Sequence, residues 1–352
     1  MGRIVFITQS YRPDSTILGV TRDWVRALAA RGDGVDVIAL DGEREREDGR
    51  VRVHDLGKRA GHGRLEQTAR FYAALARSLP AASAVLVHMV PRYALLAAPL
   101  VKASGRRLAL WYAQGGVDGP LRAATRLVDD VLTPTRDSFP LTGPDVDRRV
   151  RVTGHGVDTR RYFPDPAQPA ERGRILAAGR LSPSKRYDFM IDALSRVDTS
   201  EWRLRIASGG GYARDDEHVA ALDGHIGRLG LGERVEQLGA VPYEEMPSEY
   251  RRAWLLAHTS GTGSLDKVVL EAMACETPVV STAPSSRALL APVCEALAPT
   301  DGDAAAFAAA VEETLGRDAA WRTEVGAALR AAVESEHSLD GWADRVAALL
   351  RG

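Results

Sequence analysis

Two α/β domains, each a parallel sheet covered by helices, are what this chain of 352 residues predicts. Three observations carry that expectation. The length corresponds to two domains at roughly 150 residues each. Short apolar runs alternate with amphipathic stretches almost throughout, the pattern of parallel strands whose two faces are both covered by helices. The segment Gly154–Arg172 interrupts that alternation; it is rich in Pro and charge, has no sustained period, and reads as a linker.

The elements follow in order. Arg3–Thr8 is short, β-branched and followed by polar turn residues, which makes it a first strand and not a signal peptide. Gly19–Arg31 places Val20, Trp24, Val25, Leu28 and Ala29 at helical spacing, and Gly32 ends it. Val35–Leu40 and Val51–Leu56 are strands around a charged turn. Arg64–Leu79 is a helix, Ala84–His88 a strand, and Pro91–Ala103 a helix with Pro in its first turn. Strand Arg107–Tyr112, helix Pro120–Asp129 and short strands Val131–Thr133 and Val150–Thr153 complete the first half. After the linker come strand Arg174–Ala178, helix Lys185–Val197, strand Arg203–Ser208, helix Asp216–Leu229 and strand Val235–Leu238. Helix Tyr243–Arg252, strand Trp254–His258, helix Leu265–Cys275 and strand Pro278–Ser281 precede a helical C-terminal stretch that finishes in Leu339–Leu350. The expected domains are 1–160, 161–335 and a final helical piece, 336–352. Ligands of such sheets bind beyond the carboxyl ends of the strands, so a cleft between the domains is expected there.

Composition narrows the function. Apolar residues at 45% and charged ones at 26% are ordinary for a soluble protein. The 46 Lys and Arg nearly balance 47 Asp and Glu, which argues against a nucleic-acid binder. The halves differ, with net +7 over residues 1–160 and −8 over the rest. Cys275 and Cys294 cannot make a disulfide framework and fit a reducing compartment. No apolar run approaches the ~18–20 residues of a membrane span. The expected location is the cytoplasm. Lys58, Arg59, Arg64, Arg70 and Arg77 surround one helix; weak peripheral contact with the inner face of a membrane competes there with a solvated helix face.

Four strand ends carry chemistry. Gly19 opens the first helix, where a phosphate can approach backbone N–H groups. No GxGxxG and no GxxxxGK[ST] is present, which argues against a dinucleotide oxidoreductase and a P-loop enzyme. Arg180 and Lys185 flank the loop after Arg174–Ala178; two cations there can clamp a diphosphate and neutralise charge on a leaving group. Ser208–Tyr212 contains three glycines, which permit close approach of a ligand or simply form a loop tip. The strongest stretch is Thr259–Val280, in which a Gly/Ser/Thr loop feeds a helix near Leu265. N–H groups at Asp266–Val268 then face a ligand. Glu271, set among apolar Val268, Val269, Leu270 and Met273, is a carboxylate that needs a partner, such as two ribose hydroxyls.

Taken together these motifs resemble those of a family-4 glycosyltransferase of the GT-B fold, over nearly the whole chain. The GR-L-x-x-x-K element that binds the donor diphosphate in that family stands here as Gly179-Arg180-Leu181 and Lys185. The linker signature N-G-V-D-x-x-x-F is similar to residues 155–163, with His155 where Asn is usual. The base-binding segment resembles residues 237–242, and LEAMACGTPVV is nearly intact at Leu270–Val280. The resemblance implies two Rossmann-like domains, a last helix crossing back to the first, and transfer of a sugar with retention from a UDP- or GDP-type donor to a glycan, lipid-linked or natural-product hydroxyl. A hexosyl- or N-acetylhexosaminyl-transferase is the implied type. It assigns the donor diphosphate to Gly19, Arg180, Lys185, Lys267 and Val268, the ribose to Glu271 and the base to Val241. Arg180 and Lys185 are the implied catalytic residues. No cofactor and no metal are implied, and no His/Cys/Asp cluster has metal-ligand spacing.

Two departures matter. The family's Glu-x7-Glu pair needs Glu at 263, where this chain has Gly263; Asp266 is positioned to cover the donor-sugar role. Where many members carry a His touching that sugar, Gln114 stands, with His88 on the neighbouring strand end as the other candidate. Two rival readings are a nucleotide-sugar epimerase on the same fold, which needs cleft carboxylates, and a non-catalytic sugar-nucleotide-binding partner subunit.

Overall fold

The computed structural model describes residues 2–13, 19–43, 49–199, 201–208 and 215–351. The chain divides into two compact units, Met1–Gly156 with Ser338–Gly352, and Val157–His337. The divisions fall at 156/157 and 337/338 rather than at 160/161 and 335/336. Trp24 Nε1 donates to Gly156 O at 2.9 Å, holding the chain to the first unit up to that residue. Val157 N, the next donor, bonds His337 O at 2.8 Å within the second unit.

The first unit is a seven-stranded parallel sheet in the order β3-β2-β1-β4-β5-β6-β7. Its elements are β1 (Arg3–Tyr11), α1 (Val20–Ala29), β2 (Val35–Gly42), β3 (Val51–Asp55), α2 (Arg64–Ser78), β4 (Ala82–His88), α3 (Pro91–Ala103), β5 (Arg107–Trp111), α4 (Gly119–Leu127), β6 (Asp130–Thr133), α5 (Pro144–Asp147) and β7 (Val150–Val152). The central strands β1 and β4 are covered on both faces, and Val5, Phe6, Ile7, Val85, Leu86 and Val87 are fully buried. Each such side chain contributes about 1.5–3 kcal/mol.

The second unit has a five-stranded parallel sheet in the order β10-β9-β8-β11-β12. It contains β8 (Arg174–Ala178), α6 (Tyr187–Leu194), β9 (Arg203–Ala207), α7 (Asp215–Arg228), β10 (Val235–Gly239), α8 (Met246–Arg252), β11 (Leu255–His258), α9 (Lys267–Ala274), β12 (Val279–Ser281), α10 (Pro284–Leu290), α11 (Ala304–Gly316) and α12 (Ala319–Glu336). β8 lies between β9 and β11, so the strand order reverses there. The crevice beyond the carboxyl ends at such a reversal is where these sheets bind ligands.

The last helix, α13 (Leu339–Arg351), belongs to the first unit. Leu339, Trp342, Ala343, Val346, Ala347 and Leu350 make one apolar helical face, and all are buried. Arg31 at the end of α1 ties it down, bonding Asp344 at 2.6 Å and Asp340 at 3.1 Å.

Three helix starts differ from the sequence expectation by two residues or more. Lys185 is not a first-turn helical residue: Pro183–Lys185 is a 3₁₀ turn, and Arg186 at φ 53° separates it from α6. The helix expected from Leu265 starts at Lys267, and that expected from Tyr243 starts at Met246, next to Pro247.

Candidate active site

The site grows from two loops at the β8/β11 reversal. β8 ends at Ala178, and Gly179 turns the chain at φ 133°, a conformation that L side chains rarely adopt. Gly179 N donates to Ala207 O and its carbonyl accepts from the Tyr187 hydroxyl, both at 3.0 Å. Arg180, next along, is exposed, and no described residue bonds or pairs with it. The 3₁₀ turn brings Lys185 back toward the sheet. Arg186 is fixed outward by Asp301 at 2.6 Å and by stacking over Phe189 at 4.5 Å.

The loop after β11 is stitched to that turn. Thr259 Oγ1 donates to Lys185 O and Gly261 N to Ser184 O, each at 2.9 Å. These bonds deliver Asp266, the residue capping α9, to Lys185: Nζ and Oδ2 are 2.5 Å apart. Ser260 Oγ lies 3.4 Å from the same ammonium. The same Oδ2 is 2.8 Å from His258 Nε2, and His258 Nδ1 is 2.8 Å from Ser281 Oγ. His258 and Ser281 are buried.

Burial works to raise the Asp266 carboxyl, yet the His258 bond and the Lys185 charge hold it below the usual carboxylate range. A carboxylate whose folded pKa is depressed stabilises the fold above its unfolded pKa and loses that contribution as pH falls. Asp266→Asn is therefore expected to lower the urea midpoint at pH 7, with the difference from the native chain shrinking as pH drops below about 4. A difference that stays constant from pH 7 to pH 3 would contradict the ion pair.

Glu271 sits one turn into α9 and is buried. Its partner is the Tyr250 hydroxyl, which donates to Oε2 at 2.8 Å. Burial pushes the Glu271 carboxyl up, against the Lys267 charge, the Tyr250 and Tyr162 hydroxyls and Arg161. Lys267 and Val268 open α9, whose start is capped by no side chain. First-turn amides of such a helix lack intrahelical acceptors and favour an anion. Val241 follows β10, half-buried against the core of the same unit.

The remaining expected residues lie in the first unit. Gly19 is buried immediately before α1 in a helical conformation. Gln114 is exposed in the loop after β5. His88 ends β4 but is not displayed: it is 4% exposed, its Nδ1 is 3.2 Å from Thr8 Oγ1, and it packs among Phe6, Trp24 and Trp111 with ring centroids 5.2–5.8 Å away. His88, expected at the donor sugar, is thus enclosed by an aromatic cage in the first unit. Asp266, expected to stand in for the missing carboxylate, has Oδ2 held by Lys185 and His258. Gly263 adopts φ 70° with nothing within 4 Å of a Cβ, so there is room for a side chain but the backbone disfavours one. The glycine-rich stretch of Ser208–Tyr212, beyond Ser208, and residues 14–18 of the first loop lie outside the described residues.

Sequence reasoning missed His258, Ser281 and Tyr250. A histidine closing an apolar strand just before a Gly/Ser/Thr loop was the available signal for the first. Among the described residues no cluster of His, Cys, Asp or Glu could hold a metal ion, and no helix is long and apolar enough to cross a membrane.

The architecture is that of the GT-B fold, two parallel-sheet α/β domains. The sucrose-phosphate synthase of Thermosynechococcus elongatus superposes with a TM-score of 0.81 at 18% identity, covering 100% of this chain and 98% of that one. Anabaena HepE, solved in complex with UDP and glucose, gives 0.79 at 19% identity, with 99% of each chain covered. Within the second unit, residues 172–317 match the family model for glycosyl transferases group 1. A D-inositol 3-phosphate glycosyltransferase of Frankia alni is 31% identical over 59% of this chain and 54% of its own length. The mannosylfructose-phosphate synthase of Agrobacterium fabrum is 32% identical over 38% of this chain and 33% of its own length. The chain thus spans about half, or less, of the relatives it matches.

Proposed function

We propose that the protein is a retaining glycosyltransferase that moves a sugar from a nucleoside diphosphate sugar, of UDP or GDP type, to a hydroxyl acceptor. One observation carries this reading: Lys185 is anchored at the uncapped start of α9, and Arg180, exposed and with no partner among the described residues, lies on the same loop after β8, at the strand-order reversal of the second unit. Cations and helix-start amides aimed at one spot stabilise charge that develops on a departing diphosphate.

In the proposed reaction the bond from the anomeric carbon to the diphosphate oxygen breaks and the acceptor oxygen bonds that carbon on the same face. A phosphate oxygen of the donor takes the acceptor proton. Lys185, Arg180 and the amides of Lys267 and Val268 receive the leaving diphosphate. Glu271 accepts ribose hydroxyls, for which its bond to Tyr250 sets the carboxylate plane, and the backbone at Val241 meets the base. With glycine at 263 and glutamine at 114, the proposed donor is an N-acetylated or deoxygenated sugar, or selectivity is loose.

The test is mass spectrometry of the protein with UDP- and GDP-linked glucose, N-acetylglucosamine, mannose and deoxysugars, followed by measurement of nucleotide release with a panel of acceptors. Relatives whose names include inositol phosphate and mannosylfructose phosphate make phosphorylated polyols and sugars the first acceptors to include. Binding of at least one donor and release of its nucleoside diphosphate are expected; a protein that binds none refutes the reading, and interconversion of two nucleotide sugars would favour an epimerase. Turnover is also expected to persist in excess EDTA, because side-chain cations occupy the role of a divalent ion. Loss of turnover with EDTA and recovery with magnesium or manganese would contradict it. Weak peripheral membrane contact through α2 belongs to the same proposal, motivated by Leu65, 89% exposed beside Arg64, and vesicle flotation with anionic lipids tests it.

A further inference from the structure

Asp266 has two partners on one oxygen, Lys185 Nζ and His258 Nε2. Ala283 N donates to Ser281 Oγ at 3.2 Å. The same Ser281 oxygen lies 2.8 Å from His258 Nδ1. A carboxylate has no proton to give, so Nε2–H of His258 is the donor in the bond to Asp266 Oδ2. The carboxylate also accepts from Lys185 Nζ on that oxygen. The chain Ser281–His258–Asp266–Lys185 is closed and fully bonded at every link. His258 and Ser281 end β11 and β12 and Asp266 is the N-cap of α9, whereas Lys185 comes from a 3₁₀ turn.

We infer that Asp266 is a positioning residue for Lys185 and not a contact of the donor sugar. Fixed by His258 and Ser281, its carboxylate holds the ammonium at the start of α9, where the proposed function places the diphosphate. The inference rests on that reading of the site but makes its own claim about two side chains. A lysine carries four rotatable bonds and loses much freedom when ordered. A fixed counter-charge orders it before the diphosphate arrives. The arrangement has a second consequence. Without the ammonium, the same carboxylate would face a diphosphate with no compensation, and truncating one member of a largely desolvated charge pair costs far more than the pair is worth.

The experiment is a double-mutant cycle on the full chain, with UDP and GDP as probes because neither carries a sugar. Affinity is measured by calorimetry, and thermal melting is recorded, for the native protein, Lys185→Ala, Asp266→Asn and the double variant. Lys185→Ala is expected to weaken nucleotide binding by roughly a hundredfold and to lower the melting temperature. Adding Asp266→Asn to Lys185→Ala is expected to recover roughly tenfold in affinity and part of the melting temperature. If Lys185→Ala proves unfolded, Lys185→Met replaces it in the same cycle. Effects of the two substitutions that multiply within about twofold, in both affinity and melting, overturn the inference. A sugar-contacting Asp266 predicts that outcome, since UDP cannot report it. A native protein that binds neither nucleotide refutes the proposed function, and the melting half of the cycle then still decides whether Asp266 and Lys185 act as a unit.

Discussion

Lys185→Ala and Arg180→Ala are each expected to lower turnover by roughly 10²–10³, the scale for losing one preorganised charge stabiliser. Their kinetics should look alike while their stabilities diverge. Arg180 is exposed and no described residue pairs with it, so its removal breaks no hydrogen bond or ion pair among the described residues and melting is expected to stay near the native value. Lys185 is 11% exposed at its side chain, and its loss strips Asp266 of a charge partner while His258 continues to bond it. Leaving a largely buried acceptor short of a partner costs about 1–3 kcal/mol. Steady-state nucleotide release and urea unfolding on the same preparations separate the two effects. Near-native turnover in both variants would remove the diphosphate clamp. Equal destabilisation by both would show that the Lys185–Asp266 pair contributes nothing that exposed Arg180 does not.

That contrast marks the boundary of what the sequence could say. Alternation of apolar runs located the strands well: Arg174–Ala178 and the helix Pro91–Ala103 match the structure residue for residue. Local rules suffice there, because burial on both faces and Pro at a first turn are written in neighbouring positions. The motif loops were also legible as loops. Their internal geometry was not. Lys185 read as helical because nothing local announces that Arg186 takes a left-handed φ; the bonds that hold the turn come from Thr259 and Gly261, far along the chain. Glu271 was correctly read as a carboxylate needing a partner, but the partner, Tyr250, lies on α8 and carries no signature. His88 shows the same limit from the other side. A histidine at a strand end suggests display, and only the assembly of β1, α1 and β5 around it reveals that Thr8, Trp24 and Trp111 enclose it.

That enclosure leads to the largest expected effect on stability. Trp342, on the last helix, is fully buried, and its ring lies 4.2 Å from that of Trp24. Trp24 in turn meets Trp111 edge-on at 4.7 Å and His88 at 5.2 Å, and His155 closes the cluster 5.4 Å from Trp111. Gly156 completes it: a Cβ there would sit 2.8 Å from Trp24 Nε1 and 3.0 Å from the Trp342 ring. Glycine is thus demanded beneath the two indoles, and removing one of them leaves a cavity in the cluster. Trp342→Ala is therefore expected to cost about 3–5 kcal/mol, a large share of the 5–15 kcal/mol typical of a folded chain. Arg31 cannot compensate, because its pairs with Asp340 and Asp344 are solvent-exposed on the acidic side and such pairs are worth about 1 kcal/mol or less. The melting temperature should fall by on the order of 10 °C, with loss of near-ultraviolet aromatic ellipticity. His88→Ala should move stability in the same direction by a smaller amount and leave the ranking of donor sugars unchanged. A Trp342→Ala protein that melts within 2 °C or so of native would mean that α13 is not held by its indole. A changed donor ranking in His88→Ala would return that residue to the donor-sugar site.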